Sequence, residues 1–227
     1  MTANTRNSAA AFEFLRQFAR QRQPVERCEM CGAAVAPEHQ HLLEPIGRQI
    51  ACVCDGCAIL FHSQGQTKYR RVPRRIRYLA DFQLTESQWS GLMMPINMAF
   101  FFRSTPHDGR VIAMYPSPAG ATESLLTLDT WGDIEDSNPI LAEMESDVEA
   151  LLVNRIGHSR GFSEPEHYIV PIDECYKLVG LIRSHWSGLA GGSEVWRQIA
   201  DFFTRLRARS PGPASHADGG LACLTSL

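Results

Sequence analysis

Cys28-Glu29-Met30-Cys31 and Cys54-Asp55-Gly56-Cys57 are two Cys-x2-Cys pairs separated by 22 residues, a spacing at which two short loops offer four thiolates to one tetrahedral metal ion. Two residues between ligands turn the backbone back on itself, so both sulfurs of a pair face inward and nearby amide N–H groups can hydrogen-bond them. Gly32, directly after the first pair, can take the positive φ that such a turn tends to need. Five of the seven cysteines fall within 30 residues, which points to a ligand role rather than to scattered buried thiols. The expected ligands are Cys28, Cys31, Cys54 and Cys57, holding zinc. Iron remains open, because four thiolates suit either ion. Cys52 is a fifth thiol that could compete for a coordination position, and His39, His41 and His62 lie close in sequence. A mixed Cys/His ligand set or a second metal therefore stays open, beside the plainer reading of solvated hairpin histidines.

These ligands need a scaffold. His41-Leu42-Leu43 and Arg48 to Val53 flank Pro45-Ile46-Gly47, a β-hairpin signal that would set the two cysteine pairs side by side. The second pair runs into the apolar stretch Ala58 to Phe61, so the module is not a symmetric double knuckle. The expected organisation is an amphipathic helix within residues 1–26 (Ala9 to Gln21), a metal ribbon over 27–66, a basic connector over 67–78, an α+β body over 79–209 and a disordered tail over 210–227 that contains Cys223.

The net charge of −3 conceals an asymmetry: residues 1–77 carry 12 Lys/Arg against 6 Asp/Glu, and residues 78–227 carry 10 against 19. The positive excess peaks at Lys68, Arg70, Arg71, Arg74, Arg75 and Arg77, interleaved with Tyr69 and Tyr78. Such a run could follow a phosphate backbone. The favoured expectation is a connector lying against the acidic body or an acidic protein partner. No N-terminal segment combines a basic flank, an apolar run and a cleavage site, so a cytoplasmic protein with reduced thiols is expected. The longest apolar stretch, Leu92 to Phe102, contains Pro95 and Asn97 and is too short to span a bilayer.

In the body, Glu86 to Leu92 reads as a short helix, and Pro95 to Arg103, Arg110 to Tyr115 and Ala121 to Leu128 as an antiparallel meander with Asp108-Gly109 in its first turn. Asn138-Pro139 reads as the start of a short helix, with Asn138 as its N-cap. Val148 to Val153 and Tyr168 to Val170 suit strands, with a helical alternative for Asp147 to Ile156. Two helices follow. One is capped by Asp173 and apolar at Cys175, Leu178, Val179, Ile182 and Trp186; the other starts at Ser193 and buries Val195, Trp196, Ile199, Phe202, Phe203 and Leu206. No phosphate-cradling loop or nucleophile elbow occurs. Tyr115 to Glu123 is expected as a tight hairpin loop that could line a pocket, and Cys175 falls on a buried stripe that disfavours it as a nucleophile.

The string Cys-Glu-x-Cys-Gly from Cys28, His-x-His-Leu from His39, Cys-x-Cys-x-x-Cys-Ala-x-Leu-Phe from Cys52, Tyr-Pro-Ser-Pro-Ala-Gly-Ala-Thr-Glu-Ser from Tyr115, Asp-Val-Glu-Ala-Leu-Leu-Val from Asp147, Val-Pro-Ile-Asp-x-Cys-Tyr from Val170 and Gly-Gly-x-Glu-Val-Trp from Gly191 resembles a bacterial domain-of-unknown-function family, number 5947. The resemblance covers nearly all of residues 27–207. It implies association with gene clusters for uptake nickel-iron hydrogenases, and hence a hydrogenase subunit or maturation factor as partner. It carries no reaction. The expected protein is an α+β chain with an N-terminal zinc-ribbon or rubredoxin-like module and an antiparallel sheet packed with C-terminal helices. Its expected function is a non-enzymatic accessory role in hydrogenase assembly, stability or electron connection. A rubredoxin-like electron carrier is the first alternative, and a nucleic-acid-binding ribbon the second. A nuclease of the His-Asn-His type would match Cys-x-x-Cys followed by Pro37-Glu38-His39-Gln40-His41, but no downstream Asn and His complete it.

Overall fold

The computed structural model describes residues 25–62, 68–124, 130–158 and 163–210. The helix expected over Ala9 to Gln21 and the tail beyond Ser210 lie outside them. The hairpin forms as its residue pattern predicts: β1 (Gln40–Glu44) pairs antiparallel with β2 (Gln49–Val53), with Gln40 opposite Val53 and His41 opposite Cys52. The second cysteine pair opens a helix, α1 (Asp55–His62), so Cys57 sits in a helical first turn and not in a second knuckle.

The described part of the expected connector, residues 68–78, contributes strands to both sheets. β3 (Arg70–Arg71) adds to β1 and completes a three-stranded sheet in the order β2-β1-β3. β4 (Arg77–Tyr78) pairs with β9 (Glu166–Pro171) at the edge of the body sheet.

That sheet has six antiparallel strands in the order β4-β9-β8-β5-β6-β7. Its members are β5 (Met98–Ser104), β6 (Arg110–Ser117), β7 (Gly120–Glu123), β8 (Glu149–Asn154) and β9 (Glu166–Pro171), besides β4. The segment around Val148 to Val153 is a strand; the helical alternative does not form. The expected meander is β5-β6-β7.

Both faces of this sheet are covered. Met98, Phe100 and Phe102 of β5 pack under the C-terminal helices α4 (Ile172–His185) and α5 (Gly192–Arg209), whereas Ala99 and Phe101 pack on the other face against α2 (Glu86–Gly91) and α3 (Trp131–Ser137). Burial on both sides explains why β5, β8 and β9 read as nearly continuous apolar runs. Successive strand residues face opposite ways, so each run feeds two cores at once. Helix α2 carries a full capping box, Thr85 with Gln88. Among the described residues no helix is long and apolar enough to cross a membrane.

Three local expectations are corrected. Asn138 opens a short helix as expected, the 3-10 helix Pro139–Glu143, but its side chain makes no capping hydrogen bond. Its side chain instead accepts from the Gln83 amide at 2.7 Å and donates to the carbonyls of Gln83 and Ile134 at 2.8 Å each, tying two loops together. Asp173 is not an N-cap; Pro171 holds that position, and the Asp173 carboxylate is drawn to a partner on β1. Trp196 is 44% exposed, because it lies one residue, about 100° of helical rotation, off the buried stripe of Val195, Ile199, Phe202, Phe203 and Leu206.

Candidate metal centre

The first cysteine pair lies in a knuckle held by its own backbone. Cys28 N–H donates to the Ala33 carbonyl at 2.7 Å and Gly32 N–H to the Cys28 carbonyl at 2.8 Å, with Gly32 at the positive φ of +75° expected of it. Glu29 clamps the knuckle to the end of β2. Its N–H donates to the Cys52 carbonyl at 2.9 Å, and its carboxylate accepts from the Cys52 N–H at 2.6 Å. The start of α1 is thereby brought to the knuckle, and the four sulfurs of Cys28, Cys31, Cys54 and Cys57 lie within 4.8 Å of one another. Cys31 and Cys54 are 3.7 Å apart, which matches the edge of a thiolate tetrahedron of about 3.8 Å for metal–sulfur bonds near 2.3 Å.

The chemistry of this donor set fits a cation. Cys57 N–H points at the Cys54 sulfur at 3.5 Å, and Cys54 and Cys57 flank the positive end of α1. Burial pushes the Cys28 thiol up, but amide N–H groups of Cys54, Cys31 and Met30 outweigh it and bring it down to about 6. Cys57 goes the other way, to about 12, through burial first and then the crowding of the Cys31, Cys54 and Cys28 sulfurs. Four sulfurs this close cannot all ionise against each other, and a divalent cation removes that penalty. The tetracysteine group is positioned to bind a metal ion.

The remaining expected residues divide. His62 is exposed at the last turn of α1 and stands apart from the other histidines. His39, His41 and Cys52 come together, with one ligand atom from each within 4.8 Å of the others. Alternation along the hairpin explains why. Leu42, Ala51 and Val53 face the small core around Cys28 and Cys57, whereas Leu43 and Ile50 face the body core. His41 and its cross-strand partner Cys52 share that second face, and His39 sits two residues before His41. The two cysteine-containing clusters therefore lie on opposite sides of one hairpin.

The cysteine-bearing lobe meets the body through specific pairs. His41 Nδ1 is 2.8 Å from Asp173 on α4, Arg48 lies 2.8 Å from Glu123 on β7, and Arg70 lies 3.1 Å from the buried Asp147. Burial would raise the Asp173 carboxyl, but the His41 hydrogen bond and the Lys177 ammonium outweigh it and lower it. Of the basic run, Arg75 also chelates Glu149 and Arg77 reaches Glu143, while Arg71 donates to Gln40. Lys68 lies over the Tyr69 ring.

Tyr115 to Glu123 forms the tight β6–β7 hairpin, and its first residues line a cleft of about 570 Å³ with Trp186, Trp196 and Ile199. Cys175 does not reach it. That thiol is fully enclosed and raised well above its ordinary value, chiefly by burial.

A family model described as "Family of unknown function (DUF5947)" matches residues 27–210. No curated protein and no solved structure shows a match.

Proposed function

The chain belongs to the DUF5947 family of unknown function, and from that premise we propose that it is a non-enzymatic accessory protein in which one structural zinc ion on Cys28, Cys31, Cys54 and Cys57 holds a protein-docking lobe in shape. The observation that carries this reading is the convergence of four sulfurs from a knuckle and a helix start, in a lobe whose own buried cluster is small and includes Cys28 and Cys57 themselves. Zinc is favoured over iron because the second pair belongs to α1, which departs from the paired knuckles of a rubredoxin. Docking is supported by Val25, Ile46, Ile59 and Leu60, apolar side chains in or beside the ribbon that are 54–81% exposed. The ion pairs of Arg70, Arg75 and Arg77 with the body support the connector reading over a nucleic-acid track. The partner implied by the family resemblance is a subunit or maturation factor of an uptake nickel-iron hydrogenase.

Elemental analysis and an absorption spectrum of freshly purified, untagged protein test the first half: one zinc in the four-sulfur site and no visible thiolate-to-iron band are expected. Stoichiometric iron with that band would replace the docking lobe by an electron carrier. Affinity capture from native cells tests the second half, and recovery of no hydrogenase subunit or maturation protein would remove the partner.

A further inference from the structure

The hairpin face opposite the tetracysteine group carries a second constellation whose parts are prepared for a metal. His39 Nδ1 lies 2.8 Å from the Ala36 carbonyl, which only accepts, so this nitrogen carries the proton. The lone pair is left on Nε2, which is buried and has no hydrogen-bond partner, in a side chain only 8% exposed. His41 repeats the arrangement: Nδ1 donates to the Asp173 carboxylate at 2.8 Å and leaves Nε2 as its remaining donor atom. Cys52 adds a thiol from the facing strand, and one ligand atom of each residue lies within 4.8 Å of the others. Three tetrahedral ligands at 2.0–2.3 Å from an ion stand about 3.3–3.8 Å apart, so closure needs a movement of about 1 Å.

Both histidines are backed by a carboxylate: Glu26 lies 3.5 Å from His39 Nδ1, and Asp173 holds His41. Asp173 Oδ1 is buried without a partner as well. Outer carboxylates that fix the tautomer of a ligating histidine and raise its basicity are the usual surroundings of a transition metal. The three residues line a cleft of about 560 Å³ between ribbon and α4.

We propose that His39, His41 and Cys52 bind one first-row divalent transition ion of the zinc type, with Asp173 as the positioning residue for His41 and a fourth coordination position open to the cleft. Three protein ligands with one free position differ from the closed four-sulfur site across the hairpin: they allow exchange or an external ligand.

Full-length protein, stripped of metal and kept reduced without oxygen, is titrated with Co2+ and with Zn2+ against a chromophoric chelator. Two ions per chain are expected. His39→Gln and Cys52→Ser should each lose one ion while keeping the four-thiolate cobalt spectrum, which also reports that the ribbon still folds. Asp173→Asn should keep two ions but weaken one by 10–100-fold. A wild-type protein that takes one ion with a spectrum unchanged by Cys52→Ser overturns the proposal. So does a four-thiolate spectrum that changes in Cys52→Ser, since Cys52 would then belong to the other cluster. Cys28→Ser separates the two readings: if it leaves the ion count unchanged while His39→Gln removes one, the structural zinc fails and the second site stands.

Discussion

The N-terminal lobe and the body differ in how much apolar surface they bury. The ribbon's own buried cluster comprises Cys28, Leu42, Val53, Cys57 and Ala58, so two of its five buried residues are metal-ligand candidates. The body encloses Phe100, Phe101, Leu151, Leu152, Tyr168 and Ile169 at no more than 1% exposure, in cores on both faces of one sheet. A lobe that short of apolar surface is the one a metal cross-link would stabilise most, whereas the sheet and its helices bury far more.

Metal removal is the strongest way to break the contrast. A structural zinc site contributes on the order of 10 kcal/mol to the fold it closes, so a chelator should abolish amide protection over residues 27–62 and leave that of β5, β8 and β9, as read by hydrogen exchange. Equal loss in both regions would show that the body depends on the ribbon. The reverse experiment strikes the body. Phe100→Ala removes a fully buried ring between the sheet and α4, should cost about 3–5 kcal/mol in denaturant unfolding, and should leave metal stoichiometry intact.

His167 sharpens the comparison through pH. It stacks on Phe82, its Nε2 has no partner, and burial first, with the Arg155 charge second, depresses it from 6.5 to about 4. Above pH 6.5 the ring is neutral in both folded and unfolded chains, and its contribution is fully present. As pH falls from 6.5 towards 4 only the unfolded chain takes the proton, so the body loses up to about 3 kcal/mol. His167→Phe should flatten that limb of the stability curve, and an unchanged slope would assign acid sensitivity elsewhere. The smallest effect is expected at the join. Arg48→Ala removes the Glu123 pair and the approach of its guanidinium to the Phe102 ring, at about 1 kcal/mol. It should increase exchange in the β1–β2 hairpin more than in β5.

Much of this architecture is legible in the order of residues alone. The Cys-x2-Cys pairs, the hairpin between them, the turn at Gly32, the meander and the two C-terminal helices all rest on short-range spacing, and the fold contains them. Local rules fail where a distant partner competes with them. Asp173 has the setting of a cap because it precedes an apolar helical stripe, but His41, 132 residues earlier in the chain, takes its carboxylate. Asn138 has the setting of a cap because Pro139 follows it, and it serves Gln83 instead. Of the second helical layer, α2 is legible as the short helix at Glu86 to Leu92, whereas α3 with Trp131 is not, and the layer's place is hidden because burial of the sheet on both faces erases the alternation that marks a half-exposed strand.

The amino-acid order determined which thiols could converge, since two residues between ligands constrain one turn of backbone whatever surrounds it. Only the tertiary structure decided that His39, His41 and Cys52 share a face, that the basic run divides between two sheets, and that Asp173 backs His41. Those outcomes depend on strand register and on packing between segments far apart in the chain, and the geometry of a single turn contains neither.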